Sequence, residues 1–149
     1  MTPAVRSEHR REAIRRTLAR RHGQDPDAGA IAAATLDLWR EVAACLAPMI
    51  GVRGVDAMFR RSLQLTIQAM PWLGLPAEDG EDGEGGGPLA SFTARLEACP
   101  PPAAAEASAA LLATCADLLA AMIGPSLTGR LLEPVWGPQA PSAEQETAS

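Results

Sequence analysis

Residues 103–124, AAAEASAALLATCADLLAAMIG, decide the fold. Ala103 to Ile123 contains neither Gly nor Pro, and Leu111, Leu112, Cys115, Leu118, Leu119 and Met122 recur at the three- and four-residue spacing of one helix face. Alanine and leucine are strong helix formers, so composition and periodicity agree. The run is about long enough to span a bilayer. It carries Glu106 and Asp117 and is mostly alanine, so it reads as the long helix of a bundle, closed by Gly124 and Pro125.

Its last turn has an echo. Leu46-Ala47-Pro48-Met49-Ile50-Gly51 returns as Leu119-Ala120-Ala121-Met122-Ile123-Gly124, 73 residues later. With the same offset Leu38 meets Leu111, Met58 and Phe59 meet Leu131 and Leu132, and Leu63 meets Trp136. Each half then reads as a long helix, a glycine break and a second helix folding back, and two such hairpins make a pseudo-symmetric four-helix bundle. The competing reading is that Leu-Ala-x-Met-Ile-Gly is what a GC-rich genome writes at the end of any buried helix before a glycine cap. Under either reading Gly51 and Gly124 supply a backbone conformation that other residues adopt only at a cost.

Working outward, Ala30 to Ile50 is a core helix, with Ile31, Leu38, Val42, Cys45 and Met49 in the helical rhythm and Asp27 placed to cap it. Pro48 is expected to distort its last turn, and Val52-Arg53-Gly54 to link it to a second helix, Val55 to Met70, which Pro71 stops. Leu89 to Cys99 gives a shorter helix before Pro100-Pro101-Pro102, and Ser126 to Glu133 another, ended by Pro134. The fold class is therefore all-α: a small helical bundle of two pseudo-repeated hairpins, four core helices plus a short extra one.

The bundle domain occupies residues 24–136, with a basic arm before it, an acidic loop within it and a tail after it. Residues 1–23 hold seven arginines against Glu8 and Glu12, a net +5, so the rest of this −5 chain carries −10. Ala4 to Arg21 is expected to be a basic helical arm whose few apolar residues, Val5, Ile14 and Leu18, anchor it poorly. Residues 76–88 hold five glycines and Glu78, Asp79, Glu81, Asp82 and Glu84, the composition of a disordered acidic loop. Attraction between arm and loop suggests self-masking. Residues 137–149 read as a flexible polar tail.

Chemistry is sparse. There is no Lys or Tyr, and the only histidines, His9 and His22, lie in the arm. The chain thus lacks most of the usual general bases and imidazole metal ligands, and no catalytic residue, metal site or cofactor is called for. Asp37 and Glu41, at i and i+4, read as a solvated face because no Glu-x-x-His supplies a second half-site. Cys45, Cys99 and Cys115 are far apart and read as small hydrophobes in a reducing compartment. No apolar stretch follows the arm as a secretory signal would, which points to the cytoplasm. The all-Arg, Ala-, Gly- and Pro-rich composition fits a GC-rich bacterial genome.

Three functions fit. The first is a non-enzymatic regulatory or adaptor protein, a homodimer, binding another protein through an apolar helical surface that includes Trp72, Leu73, Leu75, Val135 and Trp136. The second is nucleic-acid binding by Arg6, Arg10, Arg16, Arg20 and Arg21, which lacks interleaved aromatics for base stacking. The third is a small-molecule sensor with an apolar pocket lined by Met49, Met58, Phe59, Leu63, Met122 and Leu131.

Overall fold

A computed structural model describes residues 3–73 and 87–136, and the described chain is all-helical, with five α-helices and no strand. They are α1 (Pro3–His22), α2 (Ala28–Ala69), α3 (Gly87–Glu97), α4 (Pro101–Ile123) and α5 (Pro125–Trp136), with a 3-10 turn at Pro71–Leu73. The acidic loop and the tail lie outside the described residues.

α2 is two helical segments in one. At Gly51 the backbone takes φ 81°, ψ 163°, a region essentially reserved for glycine. In a straight helix Trp39 and Phe59 would sit about 30 Å apart. Their ring centroids are 4.9 Å apart, so the second segment folds back on the first. The expected hairpin is present, but the link is tighter than the sequence suggested: helix resumes at Val52, directly after the glycine. Gly124 repeats the device at φ 93°, ψ 150°, and α5 starts at the next residue. Neither proline stops its helix. Pro48 lies inside α2, and α5 runs past Pro134 to Trp136, held there by the burial of Val135 and Trp136.

The first segment of α2 and α4 lie side by side and run the same way. Ile31 shares a cleft with Pro101, Pro102 and Ala105 near the helix starts, and one turn further on Thr35 donates to Ser108 at 2.8 Å. Ser108 in turn donates to the Ala104 carbonyl, which leaves this buried polar pair satisfied. Around it Ala104, Ala107, Ala109, Ala110, Ala113 and Ala116 are buried, and such small side chains let helices approach closely. Larger groups close the rest of the core: Phe59 lies between Trp39 and Phe92, whose centroid is 6.4 Å from it. Asp27 caps α2 by accepting from the Ala30 amide at 2.8 Å.

The basic arm is part of the bundle, contrary to the expectation of a poorly anchored helix. Ile14 and Leu18 are fully buried, and Arg10 and Thr17 are buried beside them on the same stripe. Judged by apolar residues alone that stripe is too narrow. It widens because its polar members have partners: Arg10 donates from Nη2 to Asp117 at 2.7 Å, leaving its buried Nε without one among the described residues, and Thr17 donates to the Ala13 carbonyl at 2.9 Å. Arg15 pairs with Glu106 at 2.8 Å and Arg21 with Glu41 at 2.6 Å, so α1 is tied to α4 and α2.

Two stability predictions follow from these positions. Ile14→Ala should cost about 2–5 kcal/mol in urea denaturation, as for a core residue; a loss below about 0.5 kcal/mol would return α1 to the status of a detachable arm. Gly51→Ala and Gly124→Ala should each cost about 1–3 kcal/mol because of their positive φ. Gly29→Ala, where an added Cβ meets only Asp27 Oδ1 at 3.6 Å, should instead stabilise by about 0.5–1 kcal/mol.

Candidate protein-binding surface

The residues expected to form a contact surface separate on folding. Trp72 is exposed, at 46%. Leu73, by contrast, is fully buried, because the 3-10 turn, closed by the Leu73 amide donating to the Met70 carbonyl, brings it back over the core. Arg95 of α3 fixes that turn by donating from Nε to the Leu73 carbonyl at 2.7 Å. Val135 and Trp136 are also core residues rather than contacts, since the last turn of α5 faces inward. Leu75 lies outside the described residues.

The expected pocket likewise does not assemble. Met58, Phe59 and Leu63 are buried in the core and Leu131 is partly buried against it, while Met49 and Met122 are exposed. Folding back at Gly51 packs the Trp39 and Phe59 rings between the two segments. An open cleft of about 420 Å³ does exist elsewhere, at the helix starts, lined by His22, Asp25, Pro26, Ile31, Pro101, Pro102 and Ala105.

The arginine set is also divided. Arg10 is buried against Asp117 and Arg21 is paired with Glu41, so two of the five face acids of this chain rather than phosphate. Arg16 and Arg20 are exposed, and the Arg6 side chain lies outside the described residues. Glu41 is thereby engaged by an arginine, while its expected companion Asp37 stays on the solvated side.

What the structure gathers instead is an apolar end. From Thr35 to Ile50 and from Ser108 to Ile123 the two parallel helices each rise about 22 Å, so Gly51 and Gly124 come out at the same end of the bundle. There Val52 is 78% exposed, Met122 60%, Leu127 46% and Met49 44%. With Trp72 they are the large hydrophobic side chains left exposed among the described residues. Met49, Val52, Met122 and Leu127 each sit within three residues of Gly51 or Gly124, at the corners where the chain reverses. Met49 and Met122 were visible in the sequence as members of helical stripes. Val52 and Leu127 were missed because they follow the glycines, in positions read as a link and as the start of a short helix.

Few reactive groups are available. Burial pushes the Cys115 thiol up to about 12, against which a hydrogen bond from Ser62 works only weakly. Burial, and then the Glu41 charge, raise Cys45 as well. No group of three or more His, Cys, Asp or Glu residues suited to a metal ion occurs among the described residues.

Because the folded thiol of Cys115 titrates above its ordinary value of 9.0, the native state binds the extra proton between pH 9 and 12. Stability should therefore be full below pH 9 and fall by up to about 1.4 kcal/mol per pH unit above it. Comparing urea denaturation of Cys115→Ala with the parent at pH 8 and pH 10 checks this, and identical pH slopes in the two proteins would contradict it. Comparison with models of known protein families, with curated proteins and with solved structures finds no match to this chain.

Proposed function

We propose that this chain is a non-enzymatic regulatory or adaptor module of the cytoplasm that binds another protein through the apolar end of its bundle. The observation that carries the reading is the joint exposure of Met49, Val52, Met122 and Leu127. Single exposed hydrophobics are ordinary, whereas several together at one end mark a contact surface. Methionines suit that role, since their unbranched, polarisable side chains adapt to a partner's shape. The nucleic-acid alternative is weakened because Arg10 and Arg21 are held by Asp117 and Glu41.

We also infer that the bundle derives from two copies of one helix–glycine–helix unit. In support, α2 and α4 start at Ala28 and Pro101, break at Gly51 and Gly124 in similar backbone conformations, and touch through Thr35 and Ser108. Every one of these pairs is 73 residues apart. Under that reading Met49 and Met122 are counterparts, and the binding end is built from the same corner used twice.

The test is site-specific photo-crosslinking in bacterial cells, with the photoreactive residue in place of Val52 and, as a control, in place of exposed Asp37. A discrete adduct with a second protein at position 52 alone is expected. An adduct of twice the chain's own mass would make the partner another copy, in keeping with a homodimer. Identical adduct patterns at the two positions would sink the proposal.

A further inference from the structure

The charges around the apolar end say what kind of partner it suits. Residues 45–57 and 118–130, which bracket the two glycines, carry only Arg53, Asp56 and Arg130 as charged groups. Asp56 is held by Arg60 at 3.0 Å, within α2. Arg53 and Arg130 are exposed and make no ion pair with the described residues. Of the nearest further acids, Glu41 is paired with Arg21 and Asp117 with Arg10, while exposed Glu133 lies one turn beyond Arg130 in α5 and exposed Glu8 stands on α1 close to Arg10, so the excess is small and is carried mainly by Arg53.

This local excess of positive charge runs against the chain, in which everything after residue 23 sums to −10. Arg53 follows Val52 directly, and Arg130 lies one turn after Leu127 on the exposed side of α5. Each cation is thus placed beside an exposed apolar side chain. The complement is an apolar stripe flanked by carboxylates.

We propose that the end formed by Met49, Val52, Met122 and Leu127 takes an acidic amphipathic helix of a partner protein, whose carboxylates pair with Arg53 and Arg130. This rests on the protein-binding reading above and adds the partner's chemistry to it. A helix is about 10–12 Å across, so it can lie over the corner residues with leucine-like anchors at i, i+3 or i+4, and i+7 while its flanks reach both arginines. An anionic bilayer fits less well. Two cations near its surface contribute only about 2 kcal/mol, and the apolar groups sit on two corners rather than along one flat-lying helix.

The experiment uses the full chain and a fluorescent peptide of about 16 residues, some 24 Å of helix, with leucines at helical spacing and glutamates elsewhere. A matched peptide with lysines for glutamates and vesicles of phosphatidylcholine with phosphatidylserine complete the set. Binding is read by anisotropy at low and moderate salt, and contact by oxidation of Met49 and Met122, with buried Met58 as the internal reference. The acidic peptide should bind, protect both exposed methionines and lose affinity with salt. Arg53→Glu combined with Arg130→Glu should weaken it about tenfold and favour the lysine peptide, with unchanged circular dichroism and melting temperature. Equal binding of the two peptides to the parent chain would overturn the acidic partner while leaving apolar docking intact. Binding of neither would remove both readings, and methionine protection by vesicles without peptide binding would replace the helix with a lipid surface.

Discussion

The seam between the first segment of α2 and α4 is the constraint on which the remaining structure depends. Its alanines bring two backbones close, and the Thr35–Ser108 hydrogen bond sits within it. A polar pair buried in an apolar seam favours one register, because sliding one helix along the other would set each hydroxyl against apolar side chains with only the carbonyl of its own helix, Ile31 for Thr35 and Ala104 for Ser108, as a partner. With that register set, the equal lengths from the pair to the two glycines bring both corners out together. The returning segment of α2, and α5, then fall back against the same core.

Helix α1 illustrates how charge can complete a hydrophobic surface. Its buried stripe contains a guanidinium and a hydroxyl, which would be costly without partners. Asp117 stands on α4 where Arg10 arrives, and Glu106 and Glu41 meet Arg15 and Arg21 at the rim. The exposed pairs add little stability on their own. The buried arginine is different, since removing Asp117 would leave its charge stranded. Three of the seven arginines at the start of the chain, Arg10, Arg15 and Arg21, thus attach α1 to acids of α4 and α2, while Arg16 and Arg20 face solvent.

The same glycines that make the corners also create the exposed apolar end. A corner with no residues to spare between helices has no loop to shield its neighbours, so Met49, Val52, Met122 and Leu127 stay in water. Structural economy and interaction potential thus share one cause, and the two arginines beside the corners give that surface a charge opposite to the rest of the body.

Sequence by itself determined the helical class, the approximate helix limits, the cap at Asp27 and the glycine breaks. These depend on local backbone preference and on the period of a pattern, both of which are written in consecutive residues. Only the tertiary structure decided which residues face water. Leu73, Val135 and Trp136 looked like contacts and are core, Arg10 looked like a ligand for phosphate and is buried, and Val52 and Leu127 looked unremarkable and form the exposed end. Burial is a property of what arrives from elsewhere in the chain. Arg10 is inside because Asp117, 107 residues away, meets it, and Val52 is outside because no described residue covers its corner.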